Sequence, residues 1–330
     1  MKGFILAAGF GTRLWPLTED RTKAAISFLK RPLITYAVEY LASHGIRDLI
    51  INLHHQPESI RQALGDGSAL GVNIEYSIED EILGTSGALD RVRESLLDDD
   101  FVVINGKIVT NIDLREVIAS HRKSKALATL VLKKNIALEH FSIVEVDEQS
   151  QITRFAGFPD VPKVADASQS SVQNSKTCSE TAPLMFTGIQ VLSPRIFKYV
   201  PRNCFSHSTI HVYPPAIAAG EKVIGVTSNA DWYEMSTLQR YLEAHLKLMS
   251  GSSVVCGKNC VIDPTATLEQ SVLWDNVKIE RGARVSHSVL ADGVRIPAGA
   301  TINRAVVVRR AIVQQLERGE IVGDNVIVPV

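Results

Sequence analysis

Cysteine is scarce in this sequence: Cys178, Cys204, Cys256 and Cys260 are scattered over 330 residues. Such spacing makes no disulfide framework, so a reduced, cytoplasmic protein is expected. An excess of one charge is missing too, with 35 Lys and Arg against 36 Asp and Glu. That balance offers no basic surface for nucleic acid or an anionic membrane. No apolar run approaches the ~18 residues of a membrane span. The opening MKGFILAAGFGT is apolar, but glycines break it early and TRLWPLTEDRTK follows in place of a cleavage site. It reads as a first strand and not as a signal peptide. What remains is ordinary globular composition, 45% hydrophobic and 22% charged, in a chain long enough for two domains.

Short apolar runs alternate with helical patterns through the first part. Strands are predicted at Lys2–Ala8 and in RDLIINLHH, VNIEYSIE, FVVINGK and ALATLVLKK. Helices are predicted over Leu33–Ser43, with Pro32 in the first turn, and over Pro57–Leu64, Ser86–Leu97 and Asp113–Ser124. This alternation predicts a doubly wound, mainly parallel α/β sheet. From Phe141 strands dominate, in FSIVEV, ITRFAGF and LMFTGIQVL, interrupted by a Ser/Gln/Asn-rich surface loop at Asp160–Thr181. A helix over Thr237–Met249 leads to SGSS, which reads as a linker between domains at 1–250 and 251–330.

Beyond the linker the period becomes six. Val255, Val261, Leu273, Ile279 and Val285 recur at six or twelve, with Thr267 filling the gap, and after a one-residue slip Ile296 and Ile302 resume it. Companions stand at Thr265, Ser271, Val277, Ala283 and Val289. A hexapeptide period places one aliphatic residue per short strand inside a parallel β-helix, here of about three coils with its own core. Its open edges invite stacking, so a homo-oligomer is expected. Cys256 and Cys260 fall inside this repeat and read as packing residues.

Two stretches carry chemistry. LAAGFGTRLWPLTEDRTK follows the first strand, and Gly9, Gly11 and Thr12 can expose backbone N–H groups to phosphate, with Arg13 and Lys23 adding cations. It is neither a dinucleotide fingerprint nor a Walker loop. FVVINGK is a buried strand that stops at an Asn-Gly turn and presents Lys107 at the crevice side of a parallel sheet. A solvated turn lysine is the plain alternative.

Taken whole, the first stretch resembles the signature of the sugar-phosphate nucleotidyltransferases, the nucleotide-sugar pyrophosphorylases. LITYAVEYLASHGIRDLIINLHHQPESI, ILGTSGAL, FVVINGKIVTNIDL, FTGIQVLSP and DWYEMSTLQRYLEAHLKLM follow in that family's order. Mannose-1-phosphate guanylyltransferase-like members are the most similar in appearance. The resemblance implies a nucleotide-diphospho-sugar transferase sheet followed by a short left-handed β-helix. It implies a nucleotide site at Leu6, Ala7, Ala8, Gly9, Gly11, Thr12, Arg13, Gly84, Thr85, Gly87 and Asn105, and a sugar site at Thr187 and Gly188. Arg13 and Lys23 match the residues that bind the triphosphate and the leaving pyrophosphate. The implied reaction is in-line attack of a sugar 1-phosphate oxygen on the α-phosphorus of a nucleoside triphosphate. That oxygen is already ionised, so positioning and charge neutralisation supply the catalysis. Mg²⁺ is the implied neutralising ion, held by two aspartates.

Four departures stand out against that pattern. Lys107 occupies the first metal aspartate's position, and WYEMST puts Glu234 and Ser236 where the second motif has Asp and Gly. Thr22-Lys23-Ala24 replaces Pro-Lys-Pro, and FAGFP puts Gly157 and Phe158 in place of the Glu and Lys that contact the sugar phosphate. A lysine repels a metal and, protonated, has no lone pair to donate. Two readings therefore compete: a transferase with an altered site, and a silent nucleotide-sugar-binding or regulatory subunit. His287 in the repeat raises hexapeptide-type acyl transfer as a weaker third. The pair His54–His55 reads as structural. His207 and His211, four apart in a segment with no helical pattern, make a poor metal site.

Overall fold

The computed structural model describes residues 1–157, 182–249 and 253–330. Phe158, the loop over 160–181 and the linker at Gly251 lie outside the described residues. In chain order the first part forms β1 Gly3–Leu6, the hairpin β2 Ser27–Phe28 and β3 Arg31–Pro32, and α1 Ile34–Ser43. Next come β4 Asp48–Leu53, α2 Pro57–Leu64, β5 Asn73–Ile78 and α3 Gly84–Arg91. β6 Phe101–Asn105, β7 Ile108–Thr110, α4 Leu114–Ser124 and β8 Ala128–Lys134 follow. β9 Ile143–Val146, β10 Ile152–Phe155, β11 Leu184–Leu192, α5 Tyr213–Ala218, β12 Val223–Thr227, β13 Trp232–Glu234 and α6 Leu238–Leu248 complete it. No described helix is long and apolar enough to cross a membrane.

The central sheet runs β10-β9-β11-β6-β1-β4-β5, with β8 joined to β11 and β12. β6, β1, β4 and β5 are parallel, and β11 joins β6 antiparallel. Its strands read as unbroken apolar runs because both faces are covered. Ile5, Ile51, Val102 and Ile104 pack beneath α1, α2 and α4. Phe4, Ile50, Phe101 and Val103 pack on the other face against α3 and α5. Alternate residues of one strand thus feed two cores.

Several boundaries differ from the expectation. Pro32 sits in a hairpin strand, and the helix starts at Ile34. The helix expected over 86–97 opens two residues earlier and breaks after Arg91 into a tighter turn, Arg93–Leu96. The segment around His207 and His211 is helical after all, a wide turn over Ser208–Val212 that runs into α5. Pro214 and Pro215 hid it from periodicity.

The C-terminal part winds three coils of short parallel strands: β14 Val254–Cys256, β15 Val261–Ile262 and β16 Thr267–Glu269; β17 Ser271–Leu273, β18 Lys278–Ile279 and β19 Arg284–Ser286; β20 Val289–Leu290, β21 Arg295–Ile296 and β22 Thr301–Asn303. β23 Ala305–Arg309 closes the stack, and β24 Glu320–Val322 with β25 Asn325–Pro329 folds back on it antiparallel. Each coil advances 17 residues, as between Ser271 and Ser288. The slip expected once therefore recurs in every coil. It aligns Cys256, Ile262 and Leu268 of the first coil with the inward Leu273, Ile279 and Val285, although Ile262 stays 37% and Val261 60% exposed. His287 takes a positive φ at a corner shared with Gln270 and Arg304, which is a turn position repeated down the stack.

The expected separate core holds only for the inside of the β-helix. On the outside of its first sheet, Val255, Val272, Val289 and Val306 join one cluster with Leu14, Trp15, Leu17, Tyr241 and Leu242 of the N-terminal part. Trp274 Nε1 donates to Tyr241 Oη at 3.2 Å across this contact.

Candidate active site

β1, β4 and β6 end at Leu6, Leu53 and Asn105, and the loops that follow form a crevice at the carboxyl edge of the sheet, where such sheets place ligands. Three neighbouring compartments share lining residues there. Leu6, Ala7, Ala8, Gly9, Lys23, Gly84, Thr85, Asn105 and Lys107 line the first. Thr187, Gly188 and Glu234 line the second, with Leu6, Thr85, Asn105 and Lys107 again. Arg13, Lys107, Glu234 and Arg240 line the third. Gly11, Thr12 and Gly87 line none of the three.

The glycines have local reasons. Gly11 has φ 76, and a Cβ there would stand 2.9 Å from Lys23 Cβ, so glycine lets the first loop fold back over Lys23. A Cβ on Gly84 would stand 2.5 Å from Ser206 O, and one on Gly87 2.6 Å from Cys204 O. These two glycines let α3 press against the segment that carries His207, where Ser86 N donates to Ser206 O and Ser208 N to Thr85 Oγ1. At Gly188, φ is 83 and β11 is bulged, which leaves room for the Asn105 side chain.

A buried bridge sets the width of the first compartment. Asn52 Oδ1 accepts from Ala7 N at 2.8 Å, Asn52 Nδ2 donates to Glu79 Oε1 at 2.7 Å, and Glu79 Oε2 accepts from Leu83 N at 3.0 Å. It ties the loop after β1 to the start of α3. Neither Asn52 nor Glu79 was singled out from the sequence. The one signal was a polar residue at the end of the apolar run LIINL. His207, which lines the first two compartments, was weighed only as a metal ligand, and Trp232 of the second and Arg240 of the third were not singled out, since each comes from a distant segment.

Lys107 and Glu234 meet through a two-stranded ribbon. β7 and β13 pair antiparallel with Ile108 opposite Glu234, and Met235 N donates to Lys107 O at 3.1 Å. Lys107 Nζ then forms an ion pair with Glu234 Oε1. Arg240 approaches the other oxygen at 3.5 Å, donates through Nε to Glu234 O at 2.9 Å, and pairs with Glu139. Burial alone pushes the Glu234 carboxyl up; Lys107 first, then Ser236 and Arg240, outweigh it and hold it below the ordinary carboxylate range. Burial lowers the Lys23 ammonium to about 8, with Lys107 and Arg13 adding repulsion and Glu234 opposing it.

A divalent cation does not fit this arrangement. Mg²⁺ asks for several oxygen donors, and here the one acid of the pair is engaged by an ammonium and faced by a guanidinium. Among the described residues no group of three or more His, Cys, Asp or Glu could hold a metal.

The family profile described as nucleotidyl transferase matches residues 2–251. The chain belongs to that family. A second profile, the GlmU-like C-terminal hexapeptide, matches residues 242–326. Among curated relatives, a UTP–glucose-1-phosphate uridylyltransferase of Synechocystis sp. is 27% identical over 302 residues, covering 85% of this chain and 72% of the relative. A mannose-1-phosphate guanylyltransferase of Mycobacterium tuberculosis is also 27% identical, over 84% of this chain and 81% of its own. A crystal structure from Bacillus anthracis, assigned as a glucose-1-phosphate thymidylyltransferase and solved with sucrose, superposes with a TM-score of 0.62. It is 22% identical, over 74% of this chain and 94% of its own, and shares the fold. These similarities make this nucleotidyl transferase an enzyme by resemblance.

Proposed function

We propose that the crevice binds a nucleoside triphosphate or nucleotide sugar together with a sugar 1-phosphate, and that Arg13, Lys23 and Lys107 neutralise the phosphates in place of Mg²⁺. The base and sugar lie in the first two compartments, against Gly84, Thr85 and Asn105 and against Thr187 and Gly188. The observation that carries this reading is the Lys107–Glu234 pair. It holds the Glu234 carboxylate without a metal and sets a single ammonium, Lys107, where a divalent ion would supply two charges. Transfer of the nucleotidyl group, with pyrophosphate leaving, is therefore slow. The same pair favours a second reading, a binding or regulatory subunit that has lost transfer. Assembly of copies through the β-helix belongs to both readings.

Product formation and pyrophosphorolysis, measured across UTP, GTP, dTTP and ATP with several sugar 1-phosphates, test the proposal. The expected result is ligand binding and slow or absent turnover that change little between excess Mg²⁺ and excess chelator. Brisk Mg²⁺-dependent turnover would sink it.

Lys23 adds a pH dependence. A phosphate ligand favours the charged amine, whose value in the free protein is about 8. Affinity is expected to hold steady from about pH 7 up to that value, then to fall by up to about tenfold per further pH unit. Calorimetry with pyrophosphate across this range measures it, and a flat profile to about pH 9.5 would remove Lys23 from the site.

A further inference from the structure

We propose that the β-helix part is the positioning element of the phosphate-binding loop, acting chiefly through Arg318. The inference rests on reading Arg13 and Lys23 as phosphate ligands. Between those two residues the chain runs through Arg13–Thr22, and its backing comes from the other end of the sequence. Arg318 Nη2 donates to Arg13 O at 3.1 Å and to Trp15 O at 2.5 Å. These carbonyls lie within and just beyond the short turn Thr12–Leu14, where helical carbonyls lack partners within their own turn. Gln314 N donates to Glu19 Oε1 at 2.8 Å, while Glu19 Oε2 accepts from Trp15 Nε1 at 2.9 Å. Arg21 donates to Asp292 Oδ2 at 2.8 Å and lies 5.0 Å over the Trp274 ring.

The division of labour follows from direction. Glu19 and Arg21 reach toward the C-terminal part, whereas Arg13 and Lys23 line the crevice. The loop begins with Gly9 and with Gly11 at positive φ, so ordering it is costly in entropy. Holding it before ligand arrives removes that cost from binding. Arg318 is therefore a positioning residue that acts through the Arg13 backbone, and the β-helix contributes to the nucleotide site as well as to any assembly.

Calorimetry of the full chain with inorganic pyrophosphate tests this with R13A, R318A, R318K and the double variant R13A/R318A. R318A is expected to weaken binding about tenfold, and R318K, whose ammonium can still donate to both carbonyls, to recover most of it. Because Arg318 works through Arg13, the double variant should bind within about twofold of R13A alone. If R318A unfolds early, the R318K and R318Q pair makes the same comparison in folded protein. R318A binding like the wild type while R13A loses affinity overturns the positioning role and leaves the ligand reading standing. Losses that simply multiply in the double variant also overturn it. R13A binding like the wild type, or no pyrophosphate binding by the wild type, instead removes the ligand reading on which the inference rests.

Discussion

Replacing Lys107 by alanine is expected to cost about 3 kcal/mol of stability at neutral pH, the lower end of what removing one partner from a buried ion pair costs. The lower end applies because the Lys107 side chain keeps 23% exposure and Arg240 stays 3.5 Å from the other carboxylate oxygen. The pH dependence carries the sharper signature. In the wild type the Glu234 value is depressed by folding, so its contribution is present above the unfolded carboxylate value of ~4.3 and is lost as pH falls through the folded one. Without Lys107 burial dominates and the folded value rises above the unfolded one. The penalty is then full at neutral pH and relieved as pH falls through the raised value, when the carboxyl protonates. Denaturant midpoints at about pH 7 and about pH 5 should show the gap between variant and wild type narrowing toward acid. A gap that stays constant would mean that Glu234 gains nothing from Lys107. Lys107→Asp goes one step further, because two carboxylates now face each other. That variant should be less stable than Lys107→Ala without metal and should gain about 2.7 kcal/mol when Mg²⁺ reaches a hundredfold excess over its dissociation constant. The wild type should gain almost nothing from the ion. An equal response of both proteins to Mg²⁺ would place the metal elsewhere.

That pair was legible in the sequence through the resemblance, which puts Lys107 and Glu234 at the two positions that hold one metal. The strand that stops at Asn-Gly set Lys107 at the crevice, but the ribbon of β7 and β13 that joins it to Glu234 was not read from the apolar pattern. Arg240 was not legible, since its role depends on how α6 leans over the ribbon. Asn52 and Glu79 were hidden for a related reason. Each is a single polar residue at a strand end, and only the three-dimensional path joins Ala7, Asn52, Glu79 and Leu83. In the repeat, the period of six was visible while the shortened corner was counted once. Local sequence shows the aliphatic rung, but the 17-residue coil appears only when successive coils are stacked. The outer valines hid in the same way. In β17 and β20, Val272 and Val289 stand beside Leu273 and Leu290, so both faces read as core, and nothing local says that the second face is covered by Trp15 and Tyr241.

Truncation after Met249 is where that shared cluster has its largest expected effect. The fragment would keep the whole central sheet and both of its own cores. It would also expose Leu14, Trp15, Leu17, Tyr241 and Leu242, which are buried in the intact chain against Val272, Trp274, Val289, Val306 and Val313. Fully burying one such side chain stabilises by ~1.5–3 kcal/mol. Losing cover over five of them removes on the order of 10 kcal/mol, comparable to the ~5–15 kcal/mol of a whole domain. Trp15 and Leu17 belong to the loop proposed to bind phosphate, so on that reading the damage falls first on the site and then on solubility. The fragment is expected to express largely as aggregate, to bind a hydrophobic dye where soluble, and to bind no pyrophosphate. A milder version avoids the deletion: Val289→Asp places a charge in the middle of the cluster and should reproduce the loss of pyrophosphate binding while the inner β-helix core, built from Leu290, Ile279 and Val285, stays folded. A monomeric fragment that melts cooperatively within a few degrees of the intact chain and binds pyrophosphate as tightly would show that the two parts fold and function independently.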